Sequence, residues 1–269
     1  MAVRDMKPRI CNIQLRQILE VISPIVSPQD VLQKYQSFAQ RNRSQGNSLQ
    51  LTPALQRSAF CWASMAGPSL FVMNAGLQSN SVVKEFMGGM IKALQESPFQ
   101  VFWTLSLRGG DYGSLSTALK SLASQVLHRN PSILESHKNW LNSTMFQADH
   151  SDSEWLDLLC QVFTSVPKSY LIVEAEELFR ANREDSTWSK SFITMFRTMV
   201  ERVEANGSLI KVMVVNYDPK LGVDSIIKER SSLIVASMPK QLPVTARNKL
   251  ARTYRRRGNG VWQRLRPGF

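Results

Sequence analysis

Acidic residues run out at Glu229. Every charged side chain in the 39 residues from Ser231 to Phe269 is basic: Lys240, Arg247, Lys249, Arg252, Arg255, Arg256, Arg257, Arg264 and Arg266. These nine carry most of the net charge of +12 and leave +3 on the rest of the 269-residue chain. The basicity belongs to a tail, so it says nothing about the body of the protein. Cysteine is scarce as well. Cys11, Cys61 and Cys160 are too few and too far apart for a disulfide framework or a metal cluster. His128, His137 and His150 show no metal-ligand spacing and read as surface histidines, so no metal site is expected. No apolar run reaches the length of about 20 residues that spans a bilayer, no signal-peptide core follows the start, and no G-x-S-x-G elbow is present. These absences predict an intracellular protein with no membrane partner, cytoplasmic or nuclear. Arg4, Lys7, Arg9 and Arg16 leave two readings of the first stretch, a surface helix or an amphipathic mitochondrial presequence.

What is present is a rhythm. Residues 1–50 read as a helical segment and linker, in which two short helices are separated by "SPIVSP" and followed by the polar "RNRSQGNSLQ". From residue 51 to 240 short apolar runs alternate with longer helical ones. Strands are predicted over 69–75, 99–106, 169–178, 208–218 and 231–239. Helices are predicted over 81–97, 113–130, 151–166 and 187–207, the third opening on a capping box of Ser151 and Glu154 and the fourth ending at Gly207. Cys160 shares an apolar helical face with Leu156, Leu159 and Phe163 and reads as core rather than nucleophile. Strands separated by helices need crossovers, and crossovers make a parallel sheet. Near-continuous apolar strands require cover on both faces. The fold class is therefore α/β, a three-layer parallel five-stranded sheet with an N-terminal helical segment and, over residues 241–269, a basic tail.

In such sheets ligands bind at the carboxyl ends of the strands. The turn after the first strand is "GLQSNSVV", and the phosphate-binding pattern G-x-P-G-S-G-K-S lies on Gly76 to Val83 without a gap. Gly76 is kept, and Ser79 and Ser81 replace the middle glycines around Asn80. Val82 and Val83 stand where the lysine and the magnesium-binding hydroxyl belong. Lys84 is two residues further, about 200° around a helix, and is expected to point away from the loop. The third strand ends in Glu174, followed by Glu176 and Glu177, where a magnesium-holding acid would stand. All three are expected in an exposed strand-to-helix loop, because a buried acid needs a cation, a donor or water. The candidate nucleotide site is Gly76, Ser79, Asn80, Ser81, Glu174 and Glu177. The fourth strand runs out in Asn216, Tyr217 and Asp218, none of them cationic.

The order of "SLFVMNAG", "PFQVFWTLS", "SEWLDLLCQVF", "YLIVEAEEL" and "KVMVVNYDP" over about residues 54–240 resembles the NACHT-type signalling P-loop domains of filamentous fungi, and more specifically a degenerate branch that has lost the loop lysine. The resemblance implies a P-loop NTPase-like core and a nucleotide-dependent switch within a larger protein. The valines at 82 and 83 argue against hydrolysis, against a bound cofactor, and for an interaction or regulatory module with a protein partner. Two alternatives stand beside it. One is a nucleotide-binding switch or weak NTPase that takes ATP or GTP with magnesium and uses Glu174 and Glu177. The other is nucleic-acid association through the tail, where Tyr254 and Trp262 are interleaved with arginines. Arg255, Arg256 and Arg257 also have the composition of a nuclear import signal.

Overall fold

Apolar side chains that alternate between the two faces of each strand divide the interior into two cores. A computed structural model of the chain describes residues 2–44, 52–75, 80–106, 114–136, 141–218 and 233–237. Among these, β1 (Ser69–Asn74), β2 (Gln100–Thr104), β3 (Lys168–Glu174), β4 (Leu209–Asn216) and β5 (Leu233–Ser237) form one all-parallel sheet in the order β2-β3-β4-β1-β5. The helices are α1 (Ala2–Ile22), α2 (Pro28–Ser44), α3 (Pro53–Ser64), α4 (Asn80–Gln95), α5 (Leu115–Arg129), the short α6 (Ile133–Ser136) and α7 (Ser143–Gln147), α8 (Asp152–Thr164), α9 (Glu176–Ala181) and α10 (Trp188–Ala205).

Leu70, Val72, Phe102, Leu171, Val173, Val212 and Val214 point to one face, under α1, α5, α8 and α10. Phe71, Met73, Trp103, Ile172, Met213 and Val215 point to the other, under α2, α3 and α4. A strand covered on both faces has no polar face to alternate with, which is why its sequence reads as a solid apolar run. The two N-terminal helices lie on opposite faces. Ile18 and Ile22 of α1 enter the first core, while Val31, Leu32 and Tyr35 of α2 enter the second. The turn between them passes the edge strand β2, where Trp103 Nε1 donates to the Pro28 carbonyl (3.0 Å).

The β2 edge is guarded from the other side as well. The Gln125 amide donates to the Trp103 carbonyl (2.7 Å) and accepts from the Trp103 N–H (3.2 Å), and Arg129 Nη1 donates to the Val101 carbonyl (2.6 Å). These α5 side chains take the place of a neighbouring strand and close the edge to pairing.

Local signals set the helix ends. Thr52 caps α3 before Pro53, and the capping box of Ser151 and Glu154 opens α8. Gly207, at φ +82°, ends α10: its N–H donates to Glu204 and the Ser208 N–H to Val203, the paired bonds of a Schellman turn. At the amino end of the sheet the buried Lys211 donates to the carbonyls of Ala63 (2.7 Å) and Met65, so its charge sits at the carboxyl terminus of α3.

Candidate functional site at the carboxyl end of the sheet

The chain leaves β1 for the face of α4, and leaves β2 and β3 for the opposite face of α5 and α10. In α/β sheets, ligands bind at the carboxyl ends of strands whose connections part to opposite faces in this way. The ends of β1, β4 and β3 meet there. Asn74 pairs in register with Asn216, and Glu174 with Val215.

Glu174 is the centre of this region. It is buried, and both of its carboxyl oxygens are engaged. Tyr217, just past β4, donates to Oε1 (2.7 Å). The Ser106 N–H, past the end of β2, donates to Oε2 (2.9 Å). The hydroxyl of Tyr35, on α2, lies within hydrogen-bonding distance of the same Oε2 and donates to the Ser106 carbonyl (2.6 Å). Burial raises the Glu174 carboxyl above the ordinary carboxylate range, against the opposing pull of its contacts with Tyr35, Tyr217 and the Ser106 N–H and of the Lys84 charge. The Tyr35 and Tyr217 hydroxyls are raised in turn, by burial first and by Glu174 second.

The proton count supports a neutral acid. Tyr35 has one hydroxyl proton and faces two acceptors, the Ser106 carbonyl and Glu174 Oε2. With Glu174 ionised, one of these contacts lacks a proton. With a proton on Oε2, the carboxyl donates to the Tyr35 oxygen, Tyr35 donates to Ser106, and every contact is satisfied.

A second group of charges lies beside the first. Glu176, also buried, accepts from Arg180 Nη2 (2.8 Å), and its other oxygen is 4.0 Å from Lys84 Nζ. Glu177 is half-buried and 3.8 Å from Arg180 Nε. The Lys84 ammonium also lies 5.4 Å from the centre of the Tyr35 ring. Lys84 thus turns toward the end of β3 and the acids there.

The expectation that these acids lie in an exposed loop is corrected. Glu174 and Glu176 are buried, because the donors and cations that burial requires come from α2, α4, α9 and the end of β4. Of the other predicted site residues, Ser81 is half-buried in the first turn of α4. Asn80 begins that helix, and its side chain lies outside the described residues, as do Gly76 and Ser79. Arg255, Arg256 and Arg257 of the tail also lie outside them. The sequence reading missed Tyr35 and Ser106. Nothing local marks either, since Tyr35 stands 139 positions from its carboxyl partner.

Val82 and Val83 are buried in the core of α4 and the sheet. Glu174 has no oxygen left without a donor, and a hydrated magnesium ion needs carboxylate or water oxygens of its own. Asn216, fully buried at the end of β4, donates to the Asn74 side chain (3.2 Å), and its own amide oxygen has no hydrogen-bond partner among the described residues. Elsewhere, Cys160 is buried, with its thiol pushed up to about 11 by that burial, as an inert core cysteine requires. His150 stands edge-on to Trp155 (5.2 Å). Among the described residues no helix is long and apolar enough to cross a membrane. Comparison with protein-family models and with curated proteins gives no match for this chain.

Proposed function

We propose that the chain is a degenerate P-loop NTPase-like protein of the fungal NACHT-like type, without hydrolytic activity, which serves as an interaction or regulatory module. The observation that carries this reading is the occupation of Glu174. In a hydrolytic site the acid at the end of the third strand is ionised and open to a metal's water shell. Here it is buried between two tyrosines and a backbone N–H. The valines at 82 and 83 support the same reading, because side chains committed to a core cannot hold phosphate charge. The position at the carboxyl end of the sheet supports the P-loop part of the proposal, and the missing chemistry supports the regulatory part.

The nucleotide-switch alternative draws on one observation, the amide oxygen of Asn216 at the end of β4, which has no hydrogen-bond partner among the described residues. Thermal unfolding separates the two readings. Millimolar Mg–ATP or Mg–GTP is expected to leave the midpoint unchanged, with no phosphate released. A rise of several degrees that is abolished by Gly76→Val contradicts the non-hydrolysing module and favours the switch.

A further inference from the structure

We infer that helix α2 is a latch that closes the carboxyl end of the sheet in cis, with Tyr35 standing on Glu174 where an outside ligand of that carboxyl would stand. The inference does not depend on whether a nucleotide binds.

Three observations carry it. First, the contact joins remote parts of the chain at one carboxyl. Tyr35 comes from the second N-terminal helix, while Glu174 ends β3 and Ser106 and Tyr217 lie just past the ends of β2 and β4. Second, α2 is seated on a narrow stripe. Val31, Leu32, Tyr35 and Ala39 are buried, and the rest of the helix beyond them is largely polar. Its backbone rests on Gly88 of α4, where an added Cβ would lie 3.5 Å from Tyr35 and Gln36. Third, the sheet holds Glu174 without it. When α2 lifts, Tyr217 and the Ser106 N–H remain on the carboxyl and only the Tyr35 side opens. The donors that stay on the carboxyl lower the cost of lifting α2, because the acid is not left wholly without partners.

The proton count gives the latch its direction. The closed seat satisfies every donor and acceptor only with a proton on Glu174. Opening admits water and favours the carboxylate, so rising pH favours release. The charged and titratable groups facing this carboxyl are Tyr35 from α2, Lys84 from α4, Tyr217 after β4, and Glu176 and Glu177 from α9, with Arg180 paired to both of these last two.

Hydrogen exchange by mass spectrometry, corrected for intrinsic rates and followed from pH 6 to 9, tests the latch on the full chain. Tyr35→Phe keeps the ring and removes the hydroxyl. It is expected to lower protection over residues 28–44 about tenfold, while residues 69–74 and 209–216 keep theirs. Wild-type protection over 28–44 is expected to fall as pH rises. Glu174→Gln is expected to be flat across the range, because a carboxamide is neutral at every pH. Unchanged protection in Tyr35→Phe overturns the latch, and so does a loss shared equally by helix and sheet. A pH dependence that persists in Glu174→Gln overturns the role given to the proton.

Discussion

Glu174 is the residue on which the reading turns, and its chemistry makes a signed prediction. Its folded-state proton affinity is raised, chiefly by burial. The folded chain therefore holds this proton more tightly than the unfolded chain does. The stabilisation is fully present below the ordinary carboxylate range and is lost as pH rises through the raised value. From about pH 4.5 upward, wild type should lose stability relative to Glu174→Gln, and the change should level off once pH exceeds the raised value. Denaturant midpoints of the two proteins across that range check this, and a constant gap contradicts it. The sequence displayed the acid but not its state. A carboxylate at the end of an apolar strand is legible, and so is the rule that burial needs partners. The partners are not, because Tyr35 and Ser106 reach it only through tertiary folding. Lys84 carries the same lesson. Its offset along α4 can be read from the helical period, but its direction is set by where Glu176 and Tyr35 come to lie.

At the scale of elements, the strands and most helices were plain in the sequence. The apolar runs from 69, 99, 169, 208 and 231 became the five strands, and the punctuation at Ser151 and Gly207 set helix ends. What remained hidden was how the elements pair. Gly88-Gly89 within α4 suggests close packing, and the sheet is its natural partner in an α/β fold. The close neighbour of Gly88 is instead the backbone of α2. That contact predicts a graded series. Gly88→Ala introduces a methyl at ordinary contact distance and should stabilise by up to about 1 kcal/mol through helix propensity. Gly88→Leu needs space that α2 occupies, and should destabilise by about 1–3 kcal/mol. Chemical denaturation of both variants checks the order, and equal behaviour would contradict the close seat of α2 on α4.

For the whole molecule, the sheet is bracketed by its own N-terminus. The helices α1 and α2 lie on opposite faces and meet at the β2 edge, so each core is completed by one of them. This could not be read from composition, since "SPIVSP" and the polar stretch after it look like the borders of a separate segment. The physical reason lies in the faces. Each helix has one apolar stripe, and the two cores are the apolar surfaces against which those stripes are buried. The same arrangement carries α2 to the carboxyl end of the sheet, where a ligand of an α/β sheet would bind. The crowding at the carboxyl end of the sheet and the occupation of the acid there therefore come from one chain path.

The carboxyl of Glu174 is where α2 and the ends of β2, β3 and β4 converge, so its protonation reports on the whole arrangement. Infrared difference spectroscopy of wild type against Glu174→Gln, in heavy water at neutral pH, measures it directly. The account predicts a protonated carboxylic-acid C=O band in wild type that is missing from the variant. A carboxylate band in its place would contradict the neutral, tyrosine-held acid on which the non-hydrolytic reading rests.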